Sequence, residues 1–273
     1  MIMNENETIL DFAKALETLN QVSETYTVDI WIPSKKEFYK FKQLDGKQQK
    51  ELLGAAMDTS VYNTSFIKVF YNIIKTNIIT NDKTIVDSFT LADKAAVALY
   101  LRSKISNAVG VYLDDSKDSV RNIDIDEVLS KLKTYVSPEE KVFSSTNEQF
   151  ELKVLVKYPT IKVEYDYDTQ FKDNKKPDEI KTTEDIQKIV TSAFVGETSK
   201  YINKITINSN DVSFENLKFE DRIKLIEKLP SSLIQRIIDQ ISEWKTNLDS
   251  VLCVNVEGKT SKPIAIDSVL FFN

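Results

Sequence analysis

Three Ser-x-x-Lys pairs, Ser65/Lys68, Ser130/Lys133 and Ser242/Lys245, come nearest to a catalytic arrangement by residue type and spacing. Such a dyad supplies a nucleophile and a base without histidine, and this chain has no histidine at all. With 23 Ser and 32 Lys among 273 residues, however, chance alone places about three such pairs. All three fall in segments that read as helices, on or beside their polar faces. Paired carboxylates could hydrolyse a glycosidic bond, but the sequence singles out no pair among 42 Asp and Glu.

The missing histidine removes the commonest general base, metal ligand and pH switch. Ser-His-Asp and Cys-His triads and His-built zinc sites are excluded. The single cysteine, Cys253, excludes an intrachain disulfide and multi-Cys zinc sites. It lies in VLCVNV, an apolar stretch read as a strand, where nothing nearby would lower a thiol pKa. The acidic run 114–127 fails as a calcium loop. Starting at Asp114 puts Ser119 at the glycine position and Ile125 at the bidentate position. Starting at Asn122 puts Glu127 and Lys133 there instead. The five glycines are isolated, so no phosphate-cradling loop is present. No metal or cofactor is expected.

Composition is globular, 41% hydrophobic and 29% charged, with a net charge of −6. An acidic chain with 32 Lys against 4 Arg is a poor nucleic-acid binder. YPTIKVEYDYDTQF, 158–171, interleaves its aromatics with acids, which suits a sheet face or protein contact better than a base-stacking platform. The N-terminus lacks a signal-peptide pattern, and no run approaches ~18 apolar residues. The expectation is a soluble protein of a reducing cytoplasm, with no membrane, nucleic-acid or small-molecule partner.

The elements that would position any site follow from periodicity. Residues 8–19 put Ile9, Phe12, Ala13, Leu16 and Leu19 on one helical face. Tyr26, Val28, Ile30 and Ile32 alternate as a strand, and Phe38–Lys42 returns after a Pro33–Lys36 turn. Asp45 with Gln48 reads as a capping box that starts a helix to about Met57. Helices follow at 61–78, 91–106 (burying Leu91, Ala95, Ala98, Leu99 and Ile105) and 123–133, the stretch 107–123 being a loop or short strand. Phe150–Lys157 and Thr160–Tyr167 read as strands, 168–179 as a loop and 182–195 as a helix. Strands at 201–208 and 211–214 precede helices 218–229 and 231–248, the last capped by Ser231 or Ser232. Two or three short strands around Gly258 close the chain. The fold class is α+β: short antiparallel hairpins packed with amphipathic helices and no parallel doubly wound sheet. The expected units are 1–24 (helix and linker), 25–136 (hairpin plus helices) and 137–273 (α+β).

Several stretches carry a resemblance. They are VDIWIPSKKEFYKFKQLDGKQQKELLGAAMD, VYNTSFIKVFYNIIKTN and LADKAAVALYLRSKI. Toward the end come FENLKFEDRIKLIEKLPSSLIQRIIDQISEW and SVLCVNVEGKTSKPIAIDSVLFF. In order and character these resemble the T4-type bacteriophage baseplate hub and hub-assembly protein family, from about residue 26 onward. The resemblance is of packing patterns and carries no catalytic residues. It implies a non-enzymatic role in building a contractile phage tail, either as a virion baseplate subunit or as a transient assembly chaperone for the hub or tape-measure protein. Assembly in the host cytoplasm and other tail or baseplate proteins as partners are implied with it. Of another class is a histidine-free carboxylate hydrolase, such as a lysin. Candidate partner-binding residues are Phe12 and Leu16, because an amphipathic helix before a polar bridge can reach a partner groove. Trp31 and Tyr39 join them, since aromatics dominate interface energetics. The same helix face could instead pack on the chain's own sheet, and the two aromatics could be core.

Overall fold

The computed structural model describes residues 14–19, 22, 24–57, 65–113, 119–146, 149–172 and 194–271. Strands β1 (Thr27–Ile32) and β2 (Glu37–Lys42) form an antiparallel hairpin with Ile30 opposite Tyr39 and Trp31 opposite Phe38. Its turn needs Lys36 at φ 53°, the left-handed region. Val28, Ile30, Ile32 and Phe41 turn inward, and fully burying Ile30, Ile32 and Phe41 stabilises the fold by roughly 2 kcal/mol each.

Helix α1 (Gly46–Ala56) starts at the expected capping box: Asp45 accepts from the Gln48 amide, and the Gln48 side chain accepts from the Asp45 amide. Helix α2 (Ser65–Asn77) packs against it. A 3₁₀ turn (Lys83–Ser88) leads into α3 (Leu91–Ser103), which is buried nearly all round. Its capping box pairs Thr90 with Asp93, and Asp93 Oδ1 also accepts from the Ser34 amide at 2.8 Å. One buried carboxylate thereby ties the hairpin turn to the helix N-terminus, where negative charge is favoured. Strands β3 (Ala108–Tyr112) and β4 (Val120–Asp124) make a second hairpin, and α4 (Ile125–Thr134) follows.

After α4 come β5 (Lys141–Thr146), β6 (Glu151–Val156), α5 (Ile161–Lys172), a short helical stretch at 194–199, β7 (Ile202–Ile207) and β8 (Asn210–Ser213). The four strands form an antiparallel sheet in the order β5-β6-β7-β8. The β7–β8 turn holds Asn208 and Ser209 at φ 47° and 70°, the conformation of a tight hairpin turn matched to strand twist. Helices α6 (Phe219–Ile226) and α7 (Ser231–Leu252) follow, α7 laying Leu233, Ile237, Ile241 and Trp244 into the core. The two-residue strands β9 (Asn255–Val256) and β10 (Lys259–Thr260) and a 3₁₀ turn (Ser268–Phe271) complete the described chain. The fold is α+β with short antiparallel sheets and no parallel sheet among the described residues.

The apolar residues form two clusters. One gathers Val28 through Leu132 with Ile161 and then takes in Leu252, Val254, Ile264, Leu270 and Phe271. The other spans Leu152 to Trp244. Leu248 touches both.

Several elements differ from the sequence reading. Thr160–Tyr167 is the start of α5, not a strand. Its residues satisfy both periods: Ile161, Val163, Tyr165 and Tyr167 alternate, while Ile161, Glu164, Tyr165 and Asp168 share a helical face. The helix wins because Thr160 Oγ1 accepts from the Val163 amide and Glu164 finds a buried partner. Residues 158–171 are accordingly no sheet face. Ile105 lies beyond α3 and is exposed. Pro230 is the N-cap of α7, and neither Ser231 nor Ser232 makes a side-chain cap. Cys253 is the residue after α7 rather than part of a strand, because that helix extends to Leu252. Most of the 182–195 helix and residues 61–64 lie outside the described residues.

Candidate interaction site

Helix α5 sits where the two apolar clusters meet. Its first amide, Ile161 N, donates to Phe89 O at 2.7 Å, and Thr90 pairs with Thr160 in an isolated antiparallel bridge. This pins the start of α5 beside the start of α3. Helical geometry then gives α5 two working faces. Lys162, Val163 and Asp166 look into a cleft of about 490 Å³ whose wall also includes Tyr158, Lys200 and Arg222. Glu164 and Asp168, one turn apart, point the opposite way.

The inward face is ionic. Lys94 Nζ lies 2.7 Å from Glu164 Oε2, both side chains nearly buried. Lys200 Nζ meets Glu197 at 2.5 Å, and Lys245 reaches the same carboxylate at 3.4 Å. Burial opposes ionisation of Glu164, but the charges of Lys94 and Lys200 outweigh it and hold the carboxyl below its ordinary range. Asp168 shows the reverse. Burial pushes its carboxyl up to about 7, Lys200 pulling down and Glu164 pushing further up. Lys200 loses hydration too, yet Glu164 and Glu197 keep its ammonium above the usual value.

Beside this lies an aromatic cluster. The rings of Tyr158, Tyr201 and Trp244 stand 6.0–6.4 Å apart by centroid. Burial pushes the phenols of Tyr135 and Tyr158 up, Tyr158 the further. Phenols this resistant to ionisation serve as packing and hydrogen-bond donors, not as bases.

Two acids of the cleft wall, Asp87 and Asp166, are engaged. Asp87 accepts from Tyr71 at 2.6 Å and pairs with Lys75 at 2.9 Å; burial opposes its ionisation, but these two partners bring it below its usual value. Asp166 pairs with Lys162. Ser199, the cleft hydroxyl next to Lys200, donates to Gly196 O at 2.6 Å. That bond uses the proton an activated nucleophile would give to a base. No group of acids or Cys able to hold a metal occurs among the described residues.

The Ser-x-x-Lys pairs are structural where described. Ser130 donates to Asp126 O, while Lys133 stands over the Phe38 ring. Lys245 reaches Glu197, and Ser242 lies exposed on the helix. Burial pushes the Cys253 thiol up, away from nucleophilic character.

Of the four residues expected to bind partners, Phe12 lies outside the described residues. Leu16 is exposed. Trp31 and Tyr39 occupy opposite faces of the hairpin. Trp31 lies on the outer face against the edge of Phe38, ring centroids 5.2 Å apart, with its indole N–H buried and unpartnered among the described residues. Tyr39 packs edge-on against Phe89, and its hydroxyl bonds Glu37, which pushes the phenol up to about 12. The outward aromatic that sequence reasoning missed is Phe38, 56% exposed; its alternation with Tyr39 carried the signal. Lys94, Glu164, Asp168 and Lys200 were also missed, and only the one-turn spacing of the two acids hinted at them.

No described helix is long and apolar enough to cross a membrane. No protein-family model, curated protein or solved structure matches this chain.

Proposed function

We propose that this chain is a non-enzymatic structural or assembly protein of the baseplate hub of a contractile phage tail, working by binding other tail proteins. The resemblance of its sequence supplies the biological setting. The observation that carries the non-enzymatic part is the direction of α5: its ionisable groups of unusual pKa, Glu164 and Asp168, do not line the cleft and sit in the field of Lys94 and Lys200 instead. What the surface offers instead is apolar: Leu16, Leu19, Tyr26 and Phe38 are all exposed. A virion subunit and a transient chaperone both fit this reading. Mass spectrometry of purified virions tests it: stoichiometric peptides mean a subunit. Absence from virions together with association with hub or tape-measure protein in infected lysate means an assembly factor. Absence from both defeats the reading.

A carboxylate hydrolase has one observation in its favour, the split between Glu164 (held low) and Asp168 (pushed to about 7). Peptidoglycan turnover by the purified chain that disappears in Glu164→Gln and Asp168→Asn, with folding intact, would establish it. We expect no turnover.

A further inference from the structure

We infer that the cleft beside α5 binds a carboxylate, gripped by Arg222, Asn203 and Lys157. This goes beyond the protein-binding reading above and does not rest on it. The cleft, about 490 Å³, draws its wall from the 3₁₀ turn Lys83–Ser88, from α5, from β7 and from α6. That volume is ordinary for a site holding a small group.

Arg222 supplies an open fork. Its Nε donates to Leu217 O at 3.1 Å, and its two terminal nitrogens have no hydrogen-bond or ion-pair partner among the described residues. The side chain is half-buried. Burial draws its pKa below the usual arginine value, while Asp166 and Glu215, both of the same wall, oppose the fall. The guanidinium is thus fixed at one nitrogen and unspent at the other two, and such a fork matches the two oxygens of a carboxylate.

Asn203 is aimed by an irregularity in the sheet. Leu155 pairs with Lys204, but Val156 pairs with Ile202, so Asn203 is the extra residue of a bulge in β7. A bulge re-aims a side chain that regular pairing would place elsewhere. This one lines the cleft, half-buried and bonded to no other described side chain. Lys157 follows β6, and its amide donates to Tyr201 O at 2.8 Å, which holds it beside β7. Its side chain is exposed, lines the same cleft and has no ion-pair partner among the described residues.

Charge selects the class of ligand. Of the wall's other cations, Lys162 is taken by Asp166 and Lys200 by Glu197; the wall's Asp87 is taken by Lys75. Arg222, Lys157 and Glu215 remain unpaired, a surplus of one positive charge. A carboxylate carries the single negative charge that balances it, whereas a phosphate group near neutral pH carries about −1.5 to −2. The carboxylate can come from a free acid or from an acidic side chain of another polypeptide, and the two sources share this chemistry.

The test titrates the full-length chain and follows the Arg222 Nε–H and Asn203 side-chain amide signals by NMR in about 150 mM salt. The probes are benzoate, its neutral counterpart benzamide, inorganic phosphate, and capped Gly-Glu-Gly and Gly-Gln-Gly peptides. Benzoate or the Glu peptide is expected to shift both signals saturably, about tenfold more tightly than its neutral counterpart and than phosphate. Tighter binding of benzoate assigns the site to free acids, and tighter binding of the Glu peptide to polypeptides; either supports the inference. Arg222→Lys keeps the charge but not the fork, and is expected to weaken binding about tenfold, read on the Asn203 signal. If that variant does not fold, Lys157→Gln, at an exposed position, is expected to weaken binding about threefold while keeping its melting temperature. No saturable shift with either carboxylate, equal response to the neutral probes, tighter binding of phosphate, or binding indifferent to these variants overturns the inference. Virion peptides without carboxylate binding would defeat this inference and leave the baseplate reading standing.

Discussion

Lys94 Nζ and Glu164 Oε2 meet at 2.7 Å, joining the first turns of two helices 70 residues apart in the chain. The contact is nearly dry, so neither charge is cheap to leave alone. Removing either partner is expected to cost roughly 3 kcal/mol, because the survivor stays desolvated. Lys94→Met and Glu164→Leu should each lower the urea midpoint, and the double variant should recover much of the loss. A double-mutant cycle measures this; strictly additive losses would show the pair to be uncoupled.

The pH dependence of stability follows from Asp168. Its folded pKa, about 7, is above the ordinary 3.8. A group raised in the folded state gives its full contribution below the unfolded pKa and loses it as pH rises through the folded value. Stability should therefore fall from about pH 4 to pH 7 and level off above, by at most about 1.4 kcal/mol per pH unit for one proton. With no histidine in the chain, no imidazole obscures that window. Urea titrations across it should show the decline in the native chain and a flatter curve in Asp168→Asn. Glu164 works in the other direction: its carboxyl is held low, so its contribution is present above the ordinary 4.5 and lost as the solution becomes more acid.

Two glycines should respond oppositely to alanine. A Cβ on Gly196 would stand 2.7 Å from the Tyr167 hydroxyl and 2.8 Å from Phe219 Cζ, closer than carbon tolerates. Gly196→Ala should destabilise by roughly 1–3 kcal/mol. Gly54 lies inside α1 with open space around it. Gly54→Ala should stabilise by about 0.5–1 kcal/mol through helix propensity. Thermal melts of the two variants, run together, give the comparison.

Gln48 and Asn77 exchange two side-chain hydrogen bonds, 2.7 and 2.9 Å, in the buried space between α1 and α2. Asn77→Leu should cost about 1–3 kcal/mol, because the Gln48 amide loses both bonds. Gln48 also closes the capping box, so Gln48→Leu should cost more than Asn77→Leu in the same denaturation assay.

What was legible in the sequence was local. The hairpin, the Asp45–Gln48 box and the long apolar stripe of α7 are set by neighbours within a turn or a strand pair. The Thr90–Asp93 box carried the same kind of signal and went unread. Helix α5 was misread because its charged residues, not its apolar ones, fill part of the inward face. A polar residue is buried only when a distant partner awaits it, and spacing holds no trace of a lysine 70 positions earlier. The polar junction was invisible for that reason.

Arg102 shows a consequence of the chain's return path. Buried in α3, its guanidinium donates to Leu270 O at 2.8 Å, to Ser106 O and to Ala108 O. Leu270 and Phe271 are seated in the cluster that begins at Val28. The cluster that begins at Val28 therefore waits for a residue made 168 positions after Arg102. A nascent chain halted before them leaves the ribosome with an arginine facing a vacant acceptor and an open apolar seat, so the order of translation and the order of core closure run in opposite directions.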